Sequence, residues 1–346
     1  MSKNQIKIGA SAALKKINGP LTPLTPQFYY GAKLAVDNWN KYHALKAKIV
    51  WSDDEASKEK ALRAAEHLAN QEVKGVVGHF SSECALNAAP IYMDKGIPLL
   101  LPAATNPSLT EFKNVFRLCS RDDQTSPLIL DQSINYLQAN RIALIDDKSY
   151  YGLNHIGYIE NDIVNLNNRN IKTIKLTWEA NSKDQGLIQK LLSFSPELII
   201  FSGRFHIAVE FTNTIRNILP NIPIIFGDDV IVKDYADSLN CTPDNIWAVG
   251  PPSIPENSNA KQFINEYEEI VGLKPGFYAA STYAAVEVLL QSINNADNLD
   301  QDLLTVINEN SFSTILGKIK FTKNGEMLNA PLSLWKLEGQ KFTITQ

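Results

Sequence analysis

Two short blocks carry residues able to hold a small charged ligand. Gly78-His79-Phe80-Ser81-Ser82-Glu83-Cys84 follows the apolar run Gly75–Gly78, and Pro102-Ala103-Ala104-Thr105-Asn106-Pro107 follows Ile97–Leu101. Each sets hydroxyls and small residues just past the carboxyl end of a strand, where open parallel sheets bind ligands. If a helix opens near Ser82, its first amides and its dipole favour an anion. Ser82 could equally serve as a plain N-cap, the commoner role of serine there. A third group, Gly227-Asp228-Asp229, follows the run Pro223–Phe226 and supplies acids. Either acid could face a cation or cap a helix running toward Ala236. An anion-holding pair of turns suits a small zwitterion, whose charges need new partners once water is stripped away.

These residues need a scaffold, and the chain reads as alternating strands and helices. Gln5–Ala10 and Lys48–Trp51 are strands. Ala32, Ala35, Val36 and Trp39 recur at helical spacing, as do Ala61, Leu62, Ala65 and Leu68. A second alternating set begins near Arg141, with strands at Ile142–Ile145, Ile174–Trp178, Leu198–Phe201, Pro223–Phe226 and Ile246–Val249. Helices follow through Phe263, Tyr267 and Ile270, and through Tyr283, Val286 and Leu290. The tail reads as strands Ile319–Phe321 and Leu332–Leu337 around an Asn324-Gly325 turn. The alternation predicts α/β architecture with doubly wound parallel sheets.

At 346 residues the chain has room for two cores, and 44% hydrophobic with 20% charged residues is ordinary globular usage. A net charge of -4 without a long basic run argues against nucleic acid. No apolar stretch approaches the roughly 20 residues of a membrane helix. The first residues lack the apolar core of a secretory signal. The three cysteines, Cys84, Cys119 and Cys241, have no disulfide or metal spacing and read as small packed thiols. The five histidines form no metal motif, and no nucleophile elbow or phosphate loop occurs. No cofactor, metal or catalytic residue is expected. His79 reads as structural.

The block VVGHFSSECALNAAPIYMDKGIPLLLPAATNPSLT resembles the signature region of type I periplasmic solute-binding proteins, in particular the branched-chain amino-acid group serving ABC importers. GAKLAVDNWN, VFRLCSRDDQTSP, DDKSYYG and FTKNG…LSLWKLEGQKF fit the same pattern in order, so the resemblance runs from Ile6 to Phe342. It implies two Rossmann-like lobes joined by three hinge crossings, near Ser120–Asp122, Gly250–Pro252 and Asn324–Asn329, with the ligand enclosed between them. Lobe one would hold residues 1–120 and 251–325, and lobe two 121–250 and 326–346.

The same resemblance gives the site. Ser82 and the Thr105 amide and hydroxyl would bind the α-carboxylate, flanked by Ser81 and Ala104. The Ala103 carbonyl and the Thr105 hydroxyl would face the ammonium. Asp229 would neutralise it, with Asp228 one residue away as the alternative. Tyr151 matches a tyrosine that reaches the ligand, or else packs in an interface. Phe80, Tyr278 and Leu24 match side-chain pocket positions, which apolar residues in a core also fill. Asp122 would brace the first crossing or hold a water. Some members carry a cystine where this chain has Ala56 and Ser81, and paired tyrosines where it has Ser202-Gly203-Arg204-Phe205. Arg204 could grip a carboxylate bidentately or lie solvated, which leaves strict leucine, isoleucine and valine specificity open. The expected function is capture of a small, aliphatic or related amino acid by lobe closure and delivery to ABC importer membrane subunits. The protein would act as a monomer in the periplasm or outside the cell, its native signal missing here. The alternative is a sensor of the same fold, cytoplasmic or otherwise, without transport.

Overall fold

The computed structural model describes residues 5–14, 24–166, 170–179 and 185–345. The chain divides into two compact units, residues 1–119 with 253–330 and residues 120–252 with 331–346. The Met1–Asn4 segment read for a leader lies outside the described residues.

Unit 1 opens with strand β1 (Ile6–Ala12), helix α1 (Leu24–Tyr42), β2 (Ala47–Asp53), α2 (Lys58–Asn70), β3 (Val76–Gly78), α3 (Ser82–Asp94), β4 (Leu99–Leu101) and β5 (Val115–Arg117). Their sheet runs β2-β1-β3-β4-β5, every neighbour parallel. Val76-Val77 and Leu99–Leu101 are buried on both faces, which explains their unbroken apolar runs.

Unit 2 begins at α4 (Asp122–Leu130), which passes into a π-helical turn over Asp131–Tyr136. It continues with β6 (Arg141–Asp146), α5 (Tyr150–Asn165), β7 (Lys172–Thr177), α6 (Gln185–Phe194), β8 (Leu198–Ser202) and α7 (Phe205–Ile218). After β9 (Ile224–Phe226), α8 (Lys233–Asp237) and β10 (Ile246–Gly250), the chain returns to unit 1. There it forms α9 (Ser258–Val271), α10 (Phe277–Leu299), α11 (Leu303–Glu309), β11 (Ser311–Thr314) and β12 (Gly317–Lys320). Ala-rich α10 is buried over most of its surface within the unit 1 core. Finally β13 (Ser333–Glu338) and β14 (Lys341–Ile344) join unit 2 as antiparallel strands, giving the order β14-β13-β10-β9-β8-β6-β7. The parallel strands of both units therefore share one order, in which the second strand lies outside the first and the third to fifth follow on its other side. This is the doubly wound arrangement, with a switch point between β1 and β3 and another between β6 and β8.

Two expectations change. The Asn324-Gly325 turn forms, the Gly325 amide donating to the Thr322 carbonyl at 2.9 Å and Phe321 bridging antiparallel to Met327, but the longer strands around it do not pair with each other, since β12 pairs with β11 while β13 pairs with β10 and β14. What fixes the glycine is tertiary: Gly325 has φ +77, and a Cβ there would lie 1.9 Å from the Val115 carbonyl of β5. Residues 326–330, expected in the second lobe, group with unit 1, because Glu326 bonds Arg117 and Thr110 there. Strands β5, β11 and β14 were not anticipated. All three are short, three or four residues each, and too brief for a periodic signal.

Candidate functional site

In unit 1 the first block leaves the sheet at Gly78. Its φ is +114 and an added Cβ would lie 2.1 Å from the Ser11 carbonyl of β1, so only glycine permits this exit. His79 then turns into the protein. Its Nδ1 lies 2.7 Å from Asp54 Oδ2 and its Nε2 3.1 Å from the Tyr92 hydroxyl, all three buried. His79 is thus a structural anchor for the turn that presents Phe80, Ser81 and Ser82.

Ser81, with extended backbone, is the N-cap of α3, although its side chain makes no capping bond. Ser82 sits in the first turn, and its hydroxyl accepts the Asn106 amide at 3.3 Å. The simple N-cap role for Ser82 therefore gives way to a bond that ties the two loops together.

The second block leaves β4 through bends at Pro102 and Ala103, and three of its carbonyls are taken by side chains. Ser281 donates to the Pro102 carbonyl at 2.8 Å, and Arg117 donates to those of Ala104 at 2.8 Å and Asn106 at 2.7 Å. The intervening Ala103 carbonyl and the Thr105 amide and hydroxyl have no protein partner among the described residues, although both residues are 7% exposed. Buried backbone groups seldom stay unpaired, so these are the polar atoms this loop has to offer a ligand. Beside them Phe80 meets Tyr278 edge-on at 5.3 Å and Phe28 at 6.1 Å. Leu24 is buried where α1 begins.

The carboxyl edge of the unit 2 sheet is acidic. Asp228 and Asp229 lie in a short 3-10 turn over Asp228–Val230, separate from α8, so neither opens the helix that contains Ala236. The Tyr151 hydroxyl donates to Asp228 at 3.3 Å, and its ring stacks on His155 at 5.5 Å. His155 is wedged between the hydroxyls of Ser202 at 2.9 Å and Thr125 at 2.7 Å, and burial pushes its pKa down to about 4. Burial, then the charges of Asp228, Asp122 and Asp229, holds the Tyr151 phenol well above its usual range. Burial also raises Asp228, while burial and the Asp228 and Asp147 charges raise Asp229. An acid pair held up in this way is relieved by an arriving cation. Asp122 is buried in the first turn of α4.

Arg204 does not present a free fork. Its amide and Nε both donate to Asp147 Oδ2 at 2.9 Å, while the rest of the side chain is half-exposed. It is not simply solvated, and a side-on pair through Nε is closed by Asp147, while Nη1 and Nη2 have no protein partner among the described residues.

The units thus keep two groups of predicted residues. Unit 1 brings together Phe80, Ser81, Ser82, Ala103, Ala104 and Thr105 around two linked loops, with Tyr278 against Phe80. Unit 2 sets Tyr151 against Asp228, with Asp229 and Asp122 close enough to perturb its phenol. Sequence reasoning missed Arg117, Asp54, Tyr92, Asp147 and His155. Arg117 had a visible signal, a charge inside the apolar run Val115-Phe116-Arg117-Leu118. The others gave none, since their partners are distant in sequence. Among the described residues no group of histidine, cysteine and acidic side chains could hold a metal, and no helix is long and apolar enough to cross a membrane.

A family model described as "Periplasmic binding protein" matches residues 5–341. An "Amino acid binding protein" of Pseudomonas aeruginosa is 26% identical over 319 residues, covering 87% of this chain and 82% of its own. The crystal structure of a leucine binding protein LivK from Thermotoga maritima superposes with a TM-score of 0.88 at 20% identity, over 99% of this chain and 98% of that one. The branched-chain amino acid transporter substrate binding protein LivJ from Streptococcus pneumoniae, solved with isoleucine, gives 0.85 at 21% identity over 98% of both chains.

Proposed function

We propose that this chain, which belongs to the periplasmic binding protein family, captures a small amino acid for an ABC importer. It is a solute-binding protein and not an enzyme. The observation that carries the amino-acid reading is the unpaired set of polar atoms in unit 1, the Ala103 carbonyl with the Thr105 amide and hydroxyl. An amide and a hydroxyl suit a carboxylate, and a carbonyl suits an ammonium. The α-carboxylate is assigned to Thr105 and the first turn at Ser82. The counter-charge of the ammonium is assigned to Asp229 of unit 2, with Asp228 held by Tyr151 as its neighbour. The apolar side chain is assigned to the faces of Phe80 and Tyr278, with Leu24 lining the pocket. Ser81 and Ala104 shape the turn, Arg204 borders the acids, and Asp122 braces the first crossing or holds a water.

The relatives named for amino acids support a similar ligand here, the family's name supports a periplasmic location, and the neighbour named as a transporter substrate binding protein supports delivery to importer membrane subunits; a monomer is assigned as part of the same reading. Binding at micromolar strength needs about 8 kcal/mol, and the best small ligands gain about 1.5 kcal/mol per heavy atom. A leucine-sized molecule must therefore be contacted over most of its atoms. Thermal-shift screening of all amino acids, amides and small carboxylates, followed by calorimetry, tests this. Stabilisation by several aliphatic amino acids is the expected result. A response to no amino acid would end the proposal.

A further inference from the structure

We propose that Arg117 is the positioning residue of the ligand-holding loop, an inference that rests on the amino-acid reading above. Arg117 ends β5 with its side chain fully buried. Every one of its side-chain nitrogens has a partner: Nε donates to Glu326 at 3.1 Å, Nη1 to the Ala104 carbonyl at 2.8 Å and Nη2 to the Asn106 carbonyl at 2.7 Å. Its backbone is fixed as well, its amide donating to the Gly325 carbonyl at 2.8 Å and its carbonyl accepting the Met327 amide at 3.1 Å. Glu326 is itself held by the Thr110 hydroxyl at 2.6 Å.

The consequence lies in which carbonyls of the loop are bonded. Bonds to carbonyls 104 and 106, with Ser281 on 102, fix the loop on both sides of Ala103 and Thr105, whose own groups are left without a protein partner among the described residues. Because Glu326 cancels the Arg117 charge at close range, the residue acts through geometry and not by attracting an anion. Only a planar fork spans two carbonyls and an acid at once; a lysine ammonium is a point charge and cannot. Arg117 touches no assigned ligand atom.

The test compares wild-type protein with Arg117→Lys, Glu326→Gln and a mild core control in unit 1, Ile293→Val. Calorimetry with L-leucine and amide hydrogen exchange at Ala104–Asn106 are the readouts, at a temperature where circular dichroism shows every variant folded. Arg117→Lys is expected to weaken L-leucine about 10-fold or more, the worth of one misdirected hydrogen bond to a charged group. It should also speed exchange at the Asn106 amide. Glu326→Gln should show a smaller change in the same direction, and Ile293→Val none in either. Wild-type affinity in Arg117→Lys, or an equal loss in Ile293→Val, would overturn the proposal. If the wild-type protein binds no amino acid, the ligand reading fails, and exchange decides this one alone: unchanged exchange at Thr105 and Asn106 overturns it.

Discussion

At the carboxyl edge of the unit 1 sheet, the loops after β3 and β4 offer hydroxyls, backbone amides and a carbonyl, with the nearby arginine neutralised by Glu326. At the same edge of the unit 2 sheet, the loops after β6 and β9 carry Asp147, Asp228 and Asp229, with one arginine engaged by Asp147. The strand order is shared, so the loops after β4 and β9 follow the fourth strand of each unit, whereas the loop after β3 follows a third strand and that after β6 a first. Local sequence then gives one edge neutral donors and the other a surplus of carboxylates. Under the proposed reading, the first kind of surface suits a carboxylate and the second an ammonium.

Removing the acid should show the contrast most sharply. Asp229→Asn is expected to lose 2–5 kcal/mol of L-leucine binding, roughly 30- to 4000-fold, the usual cost of truncating one partner of a buried charge pair. Circular dichroism should show an unchanged fold. If Asp228→Asn costs more than Asp229→Asn in calorimetry, the ammonium partner is Asp228.

A second outcome concerns protons. Burial raises both acids, so the ligand-free protein retains a proton there above the ordinary carboxylate range. An arriving ammonium favours the ionised form and expels it. L-leucine affinity should therefore rise with pH across the interval from the ordinary carboxylate value to the raised one, then level off. Calorimetry in mildly acidic buffers of different ionisation enthalpy should read a release of up to about one proton. No buffer dependence would remove the acid pair from the site.

The smallest effect is expected at Arg204. Its charge is spent on Asp147 and its side chain is half-exposed, so Arg204→Ala should change L-leucine affinity by less than about 3-fold. A large loss confined to dicarboxylic ligands would instead give the arginine a direct role.

Much of the scaffold was legible because it depends on local periodicity. The apolar runs at residues 75–78 and 97–101 had to be interior parallel strands, since nothing polar interrupts them, and glycine and proline mark their ends. The loop blocks at Ser82 and Thr105 were visible for the same reason. What stayed hidden depended on partners far along the chain. Nothing near Asp54 announces His79, and nothing near Ala104 announces Arg117 or Glu326. The Asn324-Gly325 pair reads locally as a turn and forms one, but the close approach of the Val115 carbonyl to Gly325 could not be read from its neighbours.

Sequence alone determined that this chain makes alternating strands and helices, and which loops carry hydroxyls and which carry acids, because those properties reside in neighbouring residues. Tertiary structure decided which of those polar atoms remain free. Ser82 was tied to Asn106, Arg204 to Asp147, and the alternate carbonyls of residues 102–106 to Ser281 and Arg117. A hydrogen-bonding group serves a ligand only when the fold has not already satisfied it, and that accounting closes over the whole chain.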